Sequence, residues 1–141
     1  MAAELGLVLH SAFASMPSQI DAAFAKARHL RVAGLNVLNS PFLSTQDARI
    51  IEQAAAARLP AIYQWPEAAH EGGLMGYGPG PKEMFRQLAG YASRILGGAP
   101  AADMPIEQPT RFALVINLKT ARVLGLAIPQ SLLLLADELI E

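Results

Sequence analysis

An α/β fold built on a parallel sheet follows from two features of this sequence. Short apolar segments are bounded by Gly, Pro, Asn or Ser, and amphipathic stretches of three to four turns lie between them. A third observation supports one domain: 141 residues with 52% apolar content suffice for a single buried core.

The elements follow in order. Leu7 to Phe13 is an apolar run with only His10 and Ser11 as polar members, and it reads as a first buried strand. Ser18-Gln19-Ile20-Asp21 carries a capping pattern, and Ile20, Ala23, Phe24 and Ala27 recur at helical spacing, which predicts a helix to about Arg31. Gly34 to Leu38 is a second strand, ended at Asn39-Ser40-Pro41, where proline forces an extended Ser40 and a turn. Ser44-Thr45-Gln46-Asp47 opens a helix with the apolar face Ile50, Ile51, Ala54, Ala55 and Leu59, closed by Pro60. Ala61 to Tyr63 is a third strand, Pro66 to His70 a helical turn, and Leu74 to Tyr77 a fourth strand that meets the breaker Gly78-Pro79-Gly80-Pro81. A helix from Lys82 to Leu96 carries Met84, Phe85, Leu88, Ala92, Ile95 and Leu96 along one side, and Gly97-Gly98 ends it. After a Pro- and Ala-rich linker, Phe112 to Ile116 is a strand, Lys119 to Leu124 a helix stopped by Gly125, and Ser131 to Ile140 a closing helix.

Several function classes are excluded by composition. Eleven basic against 12 acidic residues leave a net charge of −1, with no run of either sign to attract nucleic acid or anionic lipid. With no cysteine there is no disulfide, thiolate nucleophile or cysteine-metal site. His10, His29 and His70 fall on three separate elements without metal-ligand spacing. Gly76-Tyr77-Gly78-Pro79-Gly80 lacks the Gly-Lys-Ser/Thr ending of a phosphate loop and reads as a hinge crossing. Ser11, Ser15, Ser18 and Ser44 have no nucleophile elbow around them, so no enzyme activity, catalytic residue or cofactor is expected. Lys119 and Arg122 suggest no role. Met1 to Leu9 places an acid where a secretory signal would carry bases, which as written predicts a cytoplasmic chain. The apolar run Leu132 to Ala136 is far too short to span a bilayer.

Two long stretches match one family in order. The first runs from Asn39 to Pro79, with Pro41-Phe42, Ala48-Arg49-Ile50, Leu59-Pro60-Ala61-Ile62-Tyr63 and Gly72-Gly73-Leu74-Met75-Gly76-Tyr77-Gly78-Pro79. The second runs from Glu107 to Glu141, with Glu107-Gln108-Pro109-Thr110, Leu114-Val115-Ile116-Asn117-Leu118-Lys119-Thr120-Ala121, Leu124-Gly125-Leu126, Ile128-Pro129 and Ala136-Asp137-Glu138. Both resemble ABC-transporter substrate-binding proteins, the family that includes receptors for aromatic amino acids. The resemblance implies a flavodoxin-like, three-layer parallel-sheet lobe of a type I periplasmic binding protein, cut at its amino end. Residues 1–79 would be part of the second lobe, 80–110 a crossing helix and linker that pack on the first lobe, and 111–141 a hinge strand with closing helices. Met1 to Leu7 would align with the tail of a helix. The strand before that helix would lie between the first and second strands read above, so its loss leaves a gap in the ladder.

The function implied is small-molecule, amino-acid-like binding for an ABC importer, periplasmic in the family, with a permease as partner and no nucleic acid. In the fragment ligand binding is expected to be weak or absent. The alternative is a non-transport α/β interaction module or an inactive remnant of a receptor gene. In sheets of this kind ligands meet the carboxyl ends of the strands, where the sequence supplies Asn39, Ser40, Gln64, Tyr77 and Asn117, with Tyr63 and Trp65 to stack on a planar ligand. The same residue types also serve as turn caps and rim packing without any ligand. Relatives often carry Ser where this chain has Gly76, so a hydroxyl contact open to them is absent here. The 82–96 stripe is expected to be uncovered, leaving the chain either marginally folded or a homo-oligomer that covers it, and the leucines of 131–141 either pack on the lobe or dimerise.

Overall fold

The computed structural model describes residues 3–141. Its strands are β1 (Leu35–Val37), β2 (Ala61–Tyr63), β3 (Met75–Gly78), β4 (Ala113–Asn117) and β5 (Glu138–Ile140), and they form one sheet in that order. The helices are α1 (Pro17–His29), α2 (Pro41–Ser44), α3 (Asp47–Ala56), α4 (Glu67–His70), α5 (Pro81–Leu96), α6 (Leu118–Leu124) and α7 (Gln130–Leu133). The α/β class expected from the alternation is therefore present, with four of the strands where the apolar runs placed them.

One face of β1 and β2 meets α1 and α3. Val37, Ala61 and Tyr63 point into a core filled by Ile20, Phe24, Ile50, Ile51, Ala54 and Leu59. The period of two in the strands and of 3.6 in the helices puts these residues on facing surfaces. Asp21 on α1 holds the two helices together outside the core, accepting from Arg49 Nη2 at 2.7 Å and from Gln53 Nε2.

Local signals explain the helix ends. Pro17 stands at the first helical position of α1, where its missing N–H costs nothing, and Gln19 Oε1 reaches back to Ser15 N at 2.7 Å. Ser18 is thus inside the helix and not its cap. Ser44 likewise closes the extra turn α2, and α3 begins at Asp47 behind Gln46. Both α1 and α3 end in a Schellman arrangement. Val32 N bonds Ala27 O and Arg31 N bonds Arg28 O, while Leu59 N bonds Ala54 O and Arg58 N bonds Ala55 O. The left-handed position is filled by Arg31 and Arg58, each with φ of 50°, rather than by glycine. Helices α6 and α5 use Gly125 and Gly98 for the same purpose.

Three expectations are corrected. First, the sheet is mixed: β1/β2, β2/β3 and β4/β5 pair in parallel, but β4 runs antiparallel to β3, with Gly78 opposite Ala113 and Met75 opposite Ile116. The chain leaves the sheet at Gly78, runs out along α5 and returns to the same end, so it enters β4 from where β3 stopped. Second, the closing helix expected to Ile140 is one turn, α7, followed by β5. Asp137 sets that strand's register, because its N–H donates to Leu114 O at 2.9 Å and its Oδ2 accepts from Leu114 N at 2.8 Å. Third, Leu7 to Phe13 is not a strand, and Leu7, Val8, Leu9 and Phe13 are exposed. A strand needs a neighbour for its N–H and C=O groups, and this segment has no ladder partner among the described residues. It is tethered to α1 by Lys26 Nζ, which donates to Ser11 O at 3.1 Å. The reading of the amino terminus as a helix tail falls partly on Met1 and Ala2, outside the described residues, and ends in a 3₁₀ turn at Ala3–Leu5.

Candidate ligand-binding site

Because β1, β2 and β3 run in parallel, their carboxyl ends share one edge of the sheet, and the loops that follow meet there. Asn39 N donates to Gln64 Oε1 at 2.6 Å, which ties the end of β1 to the end of β2. Ser44 Oγ donates to Asn39 Oδ1 at 2.6 Å, so the first turn after β1 is also locked to this corner. With these bonds made, Asn39 Nδ2 and Gln64 Nε2 have no hydrogen-bond partner among the described residues. Two amide donors thus stand on a preorganised edge. Ser40 Oγ accepts from Leu43 N at 3.1 Å and caps α2.

Asn39 and Gln64, but not Ser40, line an open cleft with about 240 Å³ of free space, part of it open solvent, floored by Val37, Tyr63 and Trp65 and flanked by Ser44 and Asp47. Its enclosed room is only about 10 Å³, enough for a single water, against the ~300–1,000 Å³ of sites that enclose a small molecule. The geometry is that of one wall rather than a closed pocket.

Tyr63 is 3% exposed and belongs to the core as much as to the cleft. Its ring lies against Gly73, where an added Cβ would stand 2.8 Å from Cε2. Burial, with the Asp47 carboxylate as a second cause, pushes its phenol far above the usual range, so the hydroxyl stays neutral. Asp47 is itself raised by burial and by the nearby Glu71 carboxylate.

Tyr77 lies level with Gln64 at the same end of the sheet, but on the opposite face from Tyr63, since Gly76 is the residue opposite Tyr63. It is 52% exposed and stacks on Phe112 with ring centroids 5.8 Å apart. Asn117 is not at this edge at all. Reversal of β4 carries its carboxyl end to the far side, where Asn117 N donates to Leu74 O at 2.8 Å. Asn117 is 5% exposed, its Nδ2 donates to Ala69 O at 2.8 Å, and its Oδ1 caps α6 by accepting from Thr120 N at 3.0 Å. The structure therefore brings together Asn39, Ser40, Tyr63 and Gln64 with Trp65, sets Tyr77 on the other face, and gives Asn117 a packing role. Ser44 and Asp47 were missed as cleft residues because their capping pattern accounts for them locally.

Gly76 and Gly78 are required by the same loop. A Cβ on Gly76 would run into Trp65 O, and one on Gly78 into Gln64 O. The absent side chain lets residues 64–66 fold down over β3. Among the described residues no group of three or more His, Asp or Glu could hold a metal ion, and His70 Nε2 instead lies 3.5 Å from Glu138 Oε2, linking α4 to β5.

The model of the family described as ABC transporter substrate binding protein matches residues 1–140, and this chain belongs to that family. Among solved structures it is similar to a conserved domain protein from Vibrio cholerae, at 22% identity and a TM-score of 0.88 over 98% of this chain and 46% of that one. It is also similar to an ABC domain in complex with L-Trp from Streptococcus pneumoniae, at 21% identity and a TM-score of 0.87 over 99% of this chain and 48% of that one. A ligand-free, open substrate-binding protein with adhesive properties from Clostridium difficile matches at 15% identity and a TM-score of 0.63, over 99% of this chain and 46% of the other. The chain thus spans less than half the length of these structures. No curated protein sequence matches.

Proposed function

We propose that this chain supplies one wall of a ligand crevice in the small-molecule-binding component of an ABC importer, with an amino-acid-like ligand. The observation that carries the reading is the pair of unpartnered amides, Asn39 Nδ2 and Gln64 Nε2, held at the carboxyl ends of two parallel strands. Such donors suit a carboxylate, and Trp65 beside them suits an apolar or planar side chain. The complex of a structural relative with L-Trp agrees with that chemistry. Asn39, Ser40 and Gln64 make the polar contacts in this reading and Tyr63 and Trp65 form the floor, whereas Tyr77, stacked on Phe112 on the opposite face, stands outside the cleft. The binding component works in the periplasm and hands its ligand to a permease. Binding is its task, and no residue is assigned to catalysis. No helix among the described residues is long and apolar enough to cross a membrane. The exposed stripe of α5 favours a second property, association with another molecule.

Trp65 is the single tryptophan, so its fluorescence reports on the cleft directly. With one wall, L-phenylalanine should shift that emission only at millimolar concentration, and glucose should not. Ligand at its Kd stabilises by only about 0.4 kcal/mol, so the melting temperature should barely move. Replacing Asn39 and Gln64 together with alanine should abolish the shift. An emission insensitive to every amino acid tried, or equally sensitive in the double variant, would count against this assignment.

A further inference from the structure

We propose that Asp47 and the Tyr63 hydroxyl form a subsite for a primary ammonium, so that the cleft selects zwitterionic amino acids over simple carboxylic acids. This rests on the reading of the Asn39 and Gln64 amides as a carboxylate site, and adds the residues that discriminate among ligands sharing that carboxylate.

Both residues line the same cleft as the two amides, Asp47 from the first turn of α3 and Tyr63 from the end of β2. Their polar atoms are unused: among the described residues neither the Asp47 carboxylate nor the Tyr63 hydroxyl makes a hydrogen bond or ion pair. Tyr63 is 3% exposed, and a hydroxyl taken that far from water without a partner loses its hydration with no replacement. The start of a helix favours an acid, which accounts for the sign of Asp47 but not for its being left unpaired. The charge that acts on it is a second carboxylate, Glu71, and burial works in the same direction. A cation at this point relieves both effects. Arg49, two residues along α3, is already committed to Asp21.

The chemistry and the size agree. An ammonium has three donors and no acceptor, whereas the Asp47 carboxylate and Tyr63 Oη both accept. Amide donors and these two acceptors on one cleft are the complement of a zwitterion. The enclosed room of about 10 Å³ takes one water-sized group, which an ammonium is, and leaves the ligand's side chain to the open part beside Trp65.

The test titrates Trp65 emission with three ligands that share a ring: L-phenylalanine, hydrocinnamate, which lacks the ammonium, and phenethylamine, which lacks the carboxylate. Wild type should bind L-phenylalanine roughly fivefold more tightly than hydrocinnamate, as a solvated ion pair provides. Asp47→Asn, which keeps the shape of the side chain, should bring the two level. Tyr63→Phe, which keeps the ring in the core, should lower the ratio in part. The wild-type ratio stands even if a variant fails to fold. Equal affinities in wild type, or a preference that survives Asp47→Asn, would overturn the subsite and leave the amide reading intact. Phenethylamine that binds wild type but not Asp47→Asn, with hydrocinnamate binding neither, would uphold the subsite and overturn the amide reading. A chain that responds to none of the three overturns both.

Discussion

Replacing Asn117 with alanine should destabilise the fold by about 2–3 kcal/mol, and the value follows from two lost hydrogen bonds and a small vacated volume. Loss of Oδ1 leaves Thr120 N without its cap, which costs about 1 kcal/mol. Loss of Nδ2 removes a buried hydrogen bond to Ala69 O, worth about 1–1.5 kcal/mol. That oxygen retains only the long 3.3 Å bond from Gly72 N. The vacated carboxamide volume adds a few tenths more. For a chain of this size the melting temperature should fall by roughly 6–12 °C. Asn117→Ser separates the parts: serine caps well but cannot reach Ala69, so it should recover about 1 kcal/mol of the loss. Urea titrations followed by circular dichroism measure both. If Asn117→Ala costs under about 0.5 kcal/mol while changing the Trp65 response to amino acids, the residue is a ligand contact and its packing role is refuted.

Other substitutions test other parts of the structure. Arg58→Gly should stabilise by about 0.5–1 kcal/mol in the same titrations, because relief of the left-handed arginine outweighs glycine's added entropy in the unfolded chain. Gly76→Ser should destabilise by about 1–3 kcal/mol, since its Cβ meets the Trp65 carbonyl, and a stable variant would mean that the 64–66 loop yields readily. Hydrogen bonds from Arg49 and Gln53 hold the Asp21 carboxyl below its usual range. That contribution is present above the ordinary aspartate pKa and disappears as pH falls through the depressed one. Asp21→Asn should therefore melt lower than wild type near pH 7, and the gap should close in acid. A gap independent of pH would place the effect elsewhere.

The sequence by itself determined much of the local structure. Runs such as Ala61 to Tyr63 and Leu74 to Tyr77 are short, apolar and bounded by Gly or Pro, so their strands could be read directly. Helix α5, its exposed stripe and its glycine stop were legible for the same reason, because spacing and capping act over a few residues. Asn39, Ser40 and Gln64 could be placed together at one end of the sheet because they follow β1 and β2, whose parallel direction was also expected. What tertiary structure decided was everything that depends on a distant partner. Leu7 to Phe13 has the composition of a strand but no ladder to join. Leu132 to Ile140 has the composition of a helix, yet Asp137 and its bonds to Leu114 turn the end of it into β5. The direction of β4 depends on the path taken by residues 79 to 112, and that direction alone moved Asn117 from the ligand edge to the opposite end of the sheet. Side-chain pattern specifies which face of an element is buried, whereas backbone pairing specifies which neighbour it meets and in which sense, and that second choice is made only when the chain has folded.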